Sequence, residues 1–143
     1  MARIKIEIPE KIVYKTEIPI RITDINYGGH LGNDSVFSIC HEARVRFFNS
    51  LGFEELNIAG KGIIMADAGV QYKTEGFYGD ILLVQIAISD VTKSGCDIIY
   101  QIKNKKNGIE IALVKTGISF YDYKNKKIVS VPKEFISKIE SIS

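Results

Sequence analysis

Residues able to move protons or hold an anion crowd into one stretch of this chain. Asp24 precedes the run Asn26-Tyr27-Gly28-Gly29-His30-Leu31-Gly32-Asn33, which carries three glycines in eight residues, and Glu42 follows soon after. So much glycine marks a loop with unusual backbone angles, or one that lets something approach the backbone closely. Asn33-Asp34-Ser35 then supplies residue types that open helices. A helix N-terminus offers free N–H groups and a partial positive charge, which suits a developing oxyanion. Asp24 and Glu42 are candidate general bases. His30 could polarise a carbonyl or, equally, hold the loop. Asn26 and Asn33 could contact substrate or simply bind turn backbone.

Each of these residues also has an ordinary role. Glu42 stands four residues before Arg46, so a helix salt bridge worth about 0.3–0.5 kcal/mol is open to it. Its neighbours Ile39, Ala43 and Val45 argue for partial burial, which tends to raise a carboxyl pKa. Asp24 could cap the loop, and His41 reads as structural. Cys40 and Cys96 share no metal-ligand spacing, and the two histidines add none, so no metal site is expected. Both cysteines read as packed, reduced thiols.

The elements that must position these groups follow from periodicity. Ile4, Ile6 and Ile8 alternate with Lys5 and Glu7, which predicts a strand, and Val13 to Ile25 predicts a second with Pro19 at an edge or bulge. From Asn33 to about Leu51 the stripe Val36, Cys40, Ala43 and Phe47, widened by Phe37, Ile39 and Phe48, predicts a helix wrapped on several sides, with Gly52 at C′. Strands are predicted over 62–74, 80–91, 96–105 and 109–123, with an Asn107-Gly108 hairpin signal, then a short strand over 128–131 and a small helix over 132–142. Strand, long buried helix, then antiparallel strands in meander order make a single α+β domain over residues 1–143.

Composition fits this layout. The chain has 143 residues, 45% of them hydrophobic and 25% charged, enough for one core. A net charge of +2 is too even for a nucleic-acid partner. The N-terminus lacks a signal-peptide apolar run and no segment is long enough to cross a bilayer, so neither export nor a membrane partner is expected and the location reads as cytoplasmic. There is no phosphate-binding loop and no dinucleotide fingerprint.

The run Asp24 to Asn33, with Gly29-His30 and Asn33 in place, followed by His41-Glu42-Ala43-Arg44, resembles the signature of the 4-hydroxybenzoyl-CoA thioesterase-like family of hotdog-fold proteins. Tyr72 and Tyr78-Gly79-Asp80 resemble a weaker, later part of it. The resemblance spans roughly residues 11 to 125. It implies an antiparallel sheet wrapped around one long central helix. It further implies hydrolysis of an acyl-CoA or acyl-carrier-protein thioester without cofactor or metal, in a homodimer or homotetramer whose site is shared between subunits. By the same analogy Gly28, Gly29, Gly32 and Asn33 approach the substrate and Met65 lines the acyl pocket, with Asp67 either a further carboxylate near the site or a residue facing solvent. Lys103, Lys105, Lys106 and Lys115 are candidates for the phosphates of coenzyme A.

One departure matters. The family's second acid is Asn26 here, and an amide cannot act as a base. The role passes to Glu42 first and Asp24 second. Glu42 lies nine residues past Asn33, about 13 Å along the helix axis, so with Glu42 as base the oxyanion donors would come from the partner subunit. A non-hydrolytic acyl-thioester binder on the same fold is the alternative, and a hotdog dehydratase or hydratase the third.

Overall fold

The computed structural model describes residues 3–142. Strand β1 (Tyr14–Pro19) leads through a short 3-10 turn (Ile22–Asp24) and the glycine loop into helix α1 (Asn33–Ser50). There follow β2 (Gly62–Tyr72), β3 (Ile81–Ser89), β4 (Gly95–Asn104), β5 (Glu110–Asp122), β6 (Lys127–Ile128) and helix α2 (Lys133–Glu140). The sheet is antiparallel in the order β1-β3-β4-β5-β2, with β6 also on β5. The meander predicted from sequence therefore holds from β3 to β6 but not for β2. β2 follows α1 in the chain but crosses to the far edge of the sheet.

Period-two patterning gives the sheet an apolar inner face. Leu82, Val84 and Ile86 of β3, Ile98, Tyr100 and Ile102 of β4, and Val114, Ile118 and Phe120 of β5 are all buried and share one core with Val36, Cys40, Ala43 and Phe47 of α1. Burying side chains of this size contributes roughly 1.5–3 kcal/mol each, which is what holds the helix inside the sheet. Phe37 departs from its expected place in that stripe and is more than a third exposed. Helix α2 closes one end: Phe135 is fully buried and packs on Phe48 and Phe120, with ring centroids 6.1 and 5.4 Å apart. Lys138 Nζ donates to the Leu51 carbonyl at the C-terminal end of α1, where a cation suits the helix dipole.

Residues 3–13 form no strand, contrary to their alternation. Ile6 instead packs on Ala87, Ile99 and Leu113 on the outer face of the sheet, with Ile8 and Ile12 beside it. Alternation records that one side of the segment is buried, and packing across a sheet satisfies that as well as pairing within it.

Both cysteines are free and buried. Burial pushes the Cys40 thiol well above its ordinary range and the Cys96 thiol up to about 12. Because the thiolate is the reactive form, neither is expected to react with a chromogenic disulfide reagent in the native protein at pH 8. Denaturation is expected to release two equivalents. Rapid native labelling of either would contradict this packing. Among the described residues no helix is long and apolar enough to cross a membrane.

Candidate active site

The glycine loop is closed by its own backbone. Asn26 N donates to His30 O (2.9 Å), Gly29 N to Asn26 O (3.0 Å), and Gly28 N to the Asn26 side-chain oxygen (2.9 Å). Gly29 sits at φ +83°, a conformation that side-chain-bearing residues adopt only with strain. Two bonds tie the loop down: Leu31 N to Gly76 O (2.7 Å), and Gly32 N to Asp24 O (2.9 Å). Gly32, not an Asn or Ser, is the N-cap of α1, and no side chain caps the helix. A Cβ on Gly32 would come within 2.7 Å of Asp34 Oδ1, so a larger residue there would require the Asp34 side chain to turn aside. The first N–H groups of α1 stay open, the condition for receiving an oxyanion.

Beside this helix end lies a cleft of about 220 Å³. His30, Leu31, Asn33 and Val36 form one part of it, and Tyr72 to Gly76 with Ile111 the rest. His30 Nδ1 lies 3.2 Å from the Leu31 carbonyl oxygen. A carbonyl only accepts, so this contact selects the tautomer with hydrogen on Nδ1 and a lone pair on Nε2. Glu75 Oε1 is 3.9 Å from Nε2. The cleft thus brings together an imidazole, a carboxylate and an open helix N-terminus, parts that suit activation of water and stabilisation of an oxyanion.

Of the residues singled out from sequence, His30 and Asn33 line the cleft, and Asn26, Gly28, Gly29 and Gly32 build the loop that shapes it. The others stand elsewhere. Asp24 is buried, but its carboxylate accepts from Arg21 N, Nε and Nη2 at 2.8, 3.3 and 3.3 Å. It therefore secures the 3-10 turn. Glu42 is not partly buried as its neighbours suggested: its side chain is 53% exposed and bonds Arg46 at 2.8 Å. Arg46 also donates to Thr16 Oγ1 and Glu17 O of β1. Glu42 consequently lies on the flank of α1 toward β1, the sheet edge opposite β2. Met65 pairs with Ile118 and shares the inner phase of the sheet at mid-strand, but does not line the cleft. Asp67 pairs with Gly117 on the outer face, where Lys115 Nζ meets it at 3.1 Å. A bulge between Met65 and Asp67 puts these two odd-numbered residues on opposite faces.

Glu75 was missed from sequence. Its only signal is the polar run Lys73-Thr74-Glu75 after an apolar strand, which reads as an ordinary loop. Nothing local in the sequence brings it beside His30, because the contact spans 45 positions and depends on β2 crossing the sheet.

Comparison with known proteins agrees with this architecture. Residues 20–139 match the thioesterase-like superfamily. A protein of Aquifex aeolicus (strain VF5), named provisionally as an esterase, is 25% identical over 130 residues, which cover 90% of this chain and 97% of the relative. The solved 1,4-dihydroxy-2-naphthoyl-CoA thioesterase of Synechocystis superposes with a TM-score of 0.82 at 18% identity, covering 90% of this chain and 96% of that one. The DHNA-CoA thioesterase of Staphylococcus aureus does so with 0.76 at 21% identity, covering 88% and 85%. The two structural likenesses establish the fold, a hotdog sheet around one helix, and the family match over most of the chain makes this protein a member of the thioesterase-like superfamily.

Proposed function

We propose that the chain hydrolyses acyl thioesters in the cleft at the N-terminus of α1. The observation that carries this is the meeting of His30 Nε2, Glu75 and the uncapped helix end around one small cavity. In this reading His30 Nε2 takes a proton from water, whose oxygen attacks the carbonyl carbon. The oxyanion is held by the N–H groups opening α1. Collapse breaks the C–S bond, and the proton returns from His30 to the departing thiolate. With a thiol pKa near roughly 8.5, this leaving group needs little help. Glu75 stabilises the imidazolium that forms in between. Asp24 and Asn26 hold the loop, and Glu42 stays outside the chemistry.

The reading includes a homodimer built through β2. This edge strand has no partner along one side among the described residues, and its middle, Met65 to Ala68, is exposed and bears one charge. A long exposed edge of this composition is a template for pairing with another chain. Pairing it antiparallel with its own copy satisfies both edges and is a closed, two-fold arrangement. The substitution Ala68→Pro removes a ladder donor at the centre of that edge. It is expected to shift the protein from dimer to monomer in size-exclusion chromatography with light scattering. A wild-type monomer at high concentration would rule this interface out.

The function is tested by incubating the protein with a panel of acyl-CoAs and following free thiol. Release at a rate above the uncatalysed one supports hydrolysis. Binding without release from any thioester would favour a non-hydrolytic acyl-thioester binder.

A further inference from the structure

The segment before β1 has no part in the proposed chemistry, yet it is held in a definite place. Residues 3–13 cross the outer face of the sheet as a strap. Its anchor is β3, where Val13 N donates to Ile86 O at 2.8 Å. Ile6 then packs on Ala87, Ile99 and Leu113, one residue each from β3, β4 and β5. The Ile6 N–H donates to Gln71 Oε1 of β2 at 3.2 Å. Ile4 ends the path on β2 itself: its Cγ2 and Cδ1 lie 3.7 and 3.8 Å from where a Cβ on Gly69 would stand. The strap therefore runs toward the open edge of the sheet. Ile4 arrives there 57% exposed, and Arg3 beyond it is exposed as well. An isoleucine left so uncovered gains only part of its burial energy within one protomer.

The outer face beside that edge is short of positive charge. The carboxylates of Asp67 and Asp97 close over Gly117, where a Cβ would collide with Asp67 Oδ1. They share Lys115, at 3.1 and 3.6 Å, and Asp90 stands beside Asp97. Burial above all raises the Asp97 carboxyl from its ordinary range, and Asp90 and Asp67 add to this against Lys115. Among the described residues no second base lies within 4 Å of these three carboxylates, and Arg3 has no acid within 4 Å.

We propose that the N-terminal strap of each protomer crosses the dimer seam, laying Ile4 on the outer face of the partner's β2 and Arg3 against the partner's Asp67. Register carries this. Residues directly opposite in an antiparallel pair point to the same face, and Asp67 and Gly69 both lie on the outer face, opposite Gly117 and Lys115 of β5. Pairing two β2 edges about Ala68 sets Gly69 of one chain opposite the partner's Asp67, one strand spacing of about 4.8 Å away. Ile4, already on Gly69, then meets the partner's strand and covers its open side there. Asp67 is exposed and so accessible to a cation, and a guanidinium fits a carboxylate well. Two-fold symmetry repeats the contact. The assignment rests on the dimer built through β2 and adds to it a clasp that lies outside the hydrogen-bonded ladder.

The test is the dissociation constant of the dimer, measured on the whole chain by sedimentation equilibrium. Ile4→Asp sets a like charge beside the partner's Asp67. It is expected to raise the constant by about tenfold or more, because each substitution acts twice in a two-fold dimer. Arg3→Glu is expected to raise it by about threefold, as befits an exposed pair, and more at low salt than at high. Combining Arg3→Glu with Asp67→Arg reverses both charges and is expected to bind more tightly than Asp67→Arg alone. Lys15→Glu makes a comparable charge change on β1, at the opposite edge of the sheet, and is expected to leave the constant unchanged. Thermal melts check that each variant is folded. A constant unchanged in both Ile4→Asp and Arg3→Glu, with Ala68→Pro still dissociating the dimer, would overturn the strap contact and leave the β2 interface standing. No gain from the charge reversal would overturn the pairing of Arg3 with Asp67. A wild-type chain that stays monomeric at high concentration would remove the dimer, and the strap contact with it.

Discussion

Replacing His30 with glutamine is expected to lower the rate of thioester hydrolysis by about 10²–10⁴-fold, the usual contribution of a positioned general base. Glutamine preserves a hydrogen-bonding group of similar reach but cannot accept a proton near neutral pH. The His30 side chain is 32% exposed, and its one strong contact, to Leu31 O, lies within the loop. Folding should therefore be little affected, and circular dichroism will show whether it is. Glu75→Gln is expected to lower the rate by less, about tenfold, because at 3.9 Å it acts on the imidazolium by charge across a partly wet gap. Glu42→Gln and Asp24→Asn separate the readings further. The first removes an exposed helix pair and should leave the rate unchanged. The second weakens the Arg21 turn and should act on stability before catalysis. Full activity in His30→Gln would remove the proposed base, and collapse in Glu42→Gln would restore the helix-borne carboxylate to that role.

The largest expected effect on stability comes from Arg44, which is 7% exposed at the heart of the fold. Its Nε donates to Glu55 Oε1 at 2.8 Å and its Nη1 to Tyr100 OH at 3.2 Å, and Tyr100 OH lies 2.8 Å from Thr116 Oγ1. The chain of contacts links α1, the connection to β2, and strands β4 and β5. Burial raises the Tyr100 hydroxyl pKa to about 12, so it remains a neutral donor and acceptor within this chain. Arg44→Met keeps the volume and removes the charge. Glu55, only 21% exposed, then keeps a carboxylate with a weaker partner in His41, 3.5 Å away. Breaking a buried pair from one side costs about 3–5 kcal/mol. Partial access of water to Glu55 favours the lower end, and a fall of roughly 10 °C in Tm is expected. Adding Glu55→Gln to Arg44→Met should recover part of the loss, since no stranded charge remains. A single variant as stable as the wild type, measured by chemical denaturation, would show that the pair contributes nothing net.

Much of the fold was legible because periodicity survives in the strands buried on one face. β3 and β4 alternate without interruption, and α1 ends before Gly52 as its sequence suggests. Legibility failed where burial arises without regular pairing. Ile4 to Ile8 alternate like a strand but lie across the outer face of the sheet. In β2, the bulge after Met65 changes which parity faces inward, so Ile63 and Met65 precede Ala68, Val70 and Tyr72 on one face. Strict alternation misreads such a strand, and it left open whether Asp67 stood near the site or faced solvent; the bulge places it on the outer face beside Lys115. For the candidate site, the glycine loop and the helix start were readable as types in order. The allegiance of each acid was not. Glu42, Asp24 and Glu75 are chemically similar, and what separates them is a neighbour distant in sequence or hidden in a turn: Arg46 bridging to β1, Arg21 closing on Asp24, and the path that carries Glu75 to His30.

The open edge of β2 has a consequence for dosage. If function requires two chains joined along that edge, then below the dissociation constant of the pair the working species varies with the square of the chain's abundance. Halving the amount of protein would leave about a quarter of the dimer. Hydrolytic capacity would then rise through a threshold as the chain accumulates, even with no separate regulator.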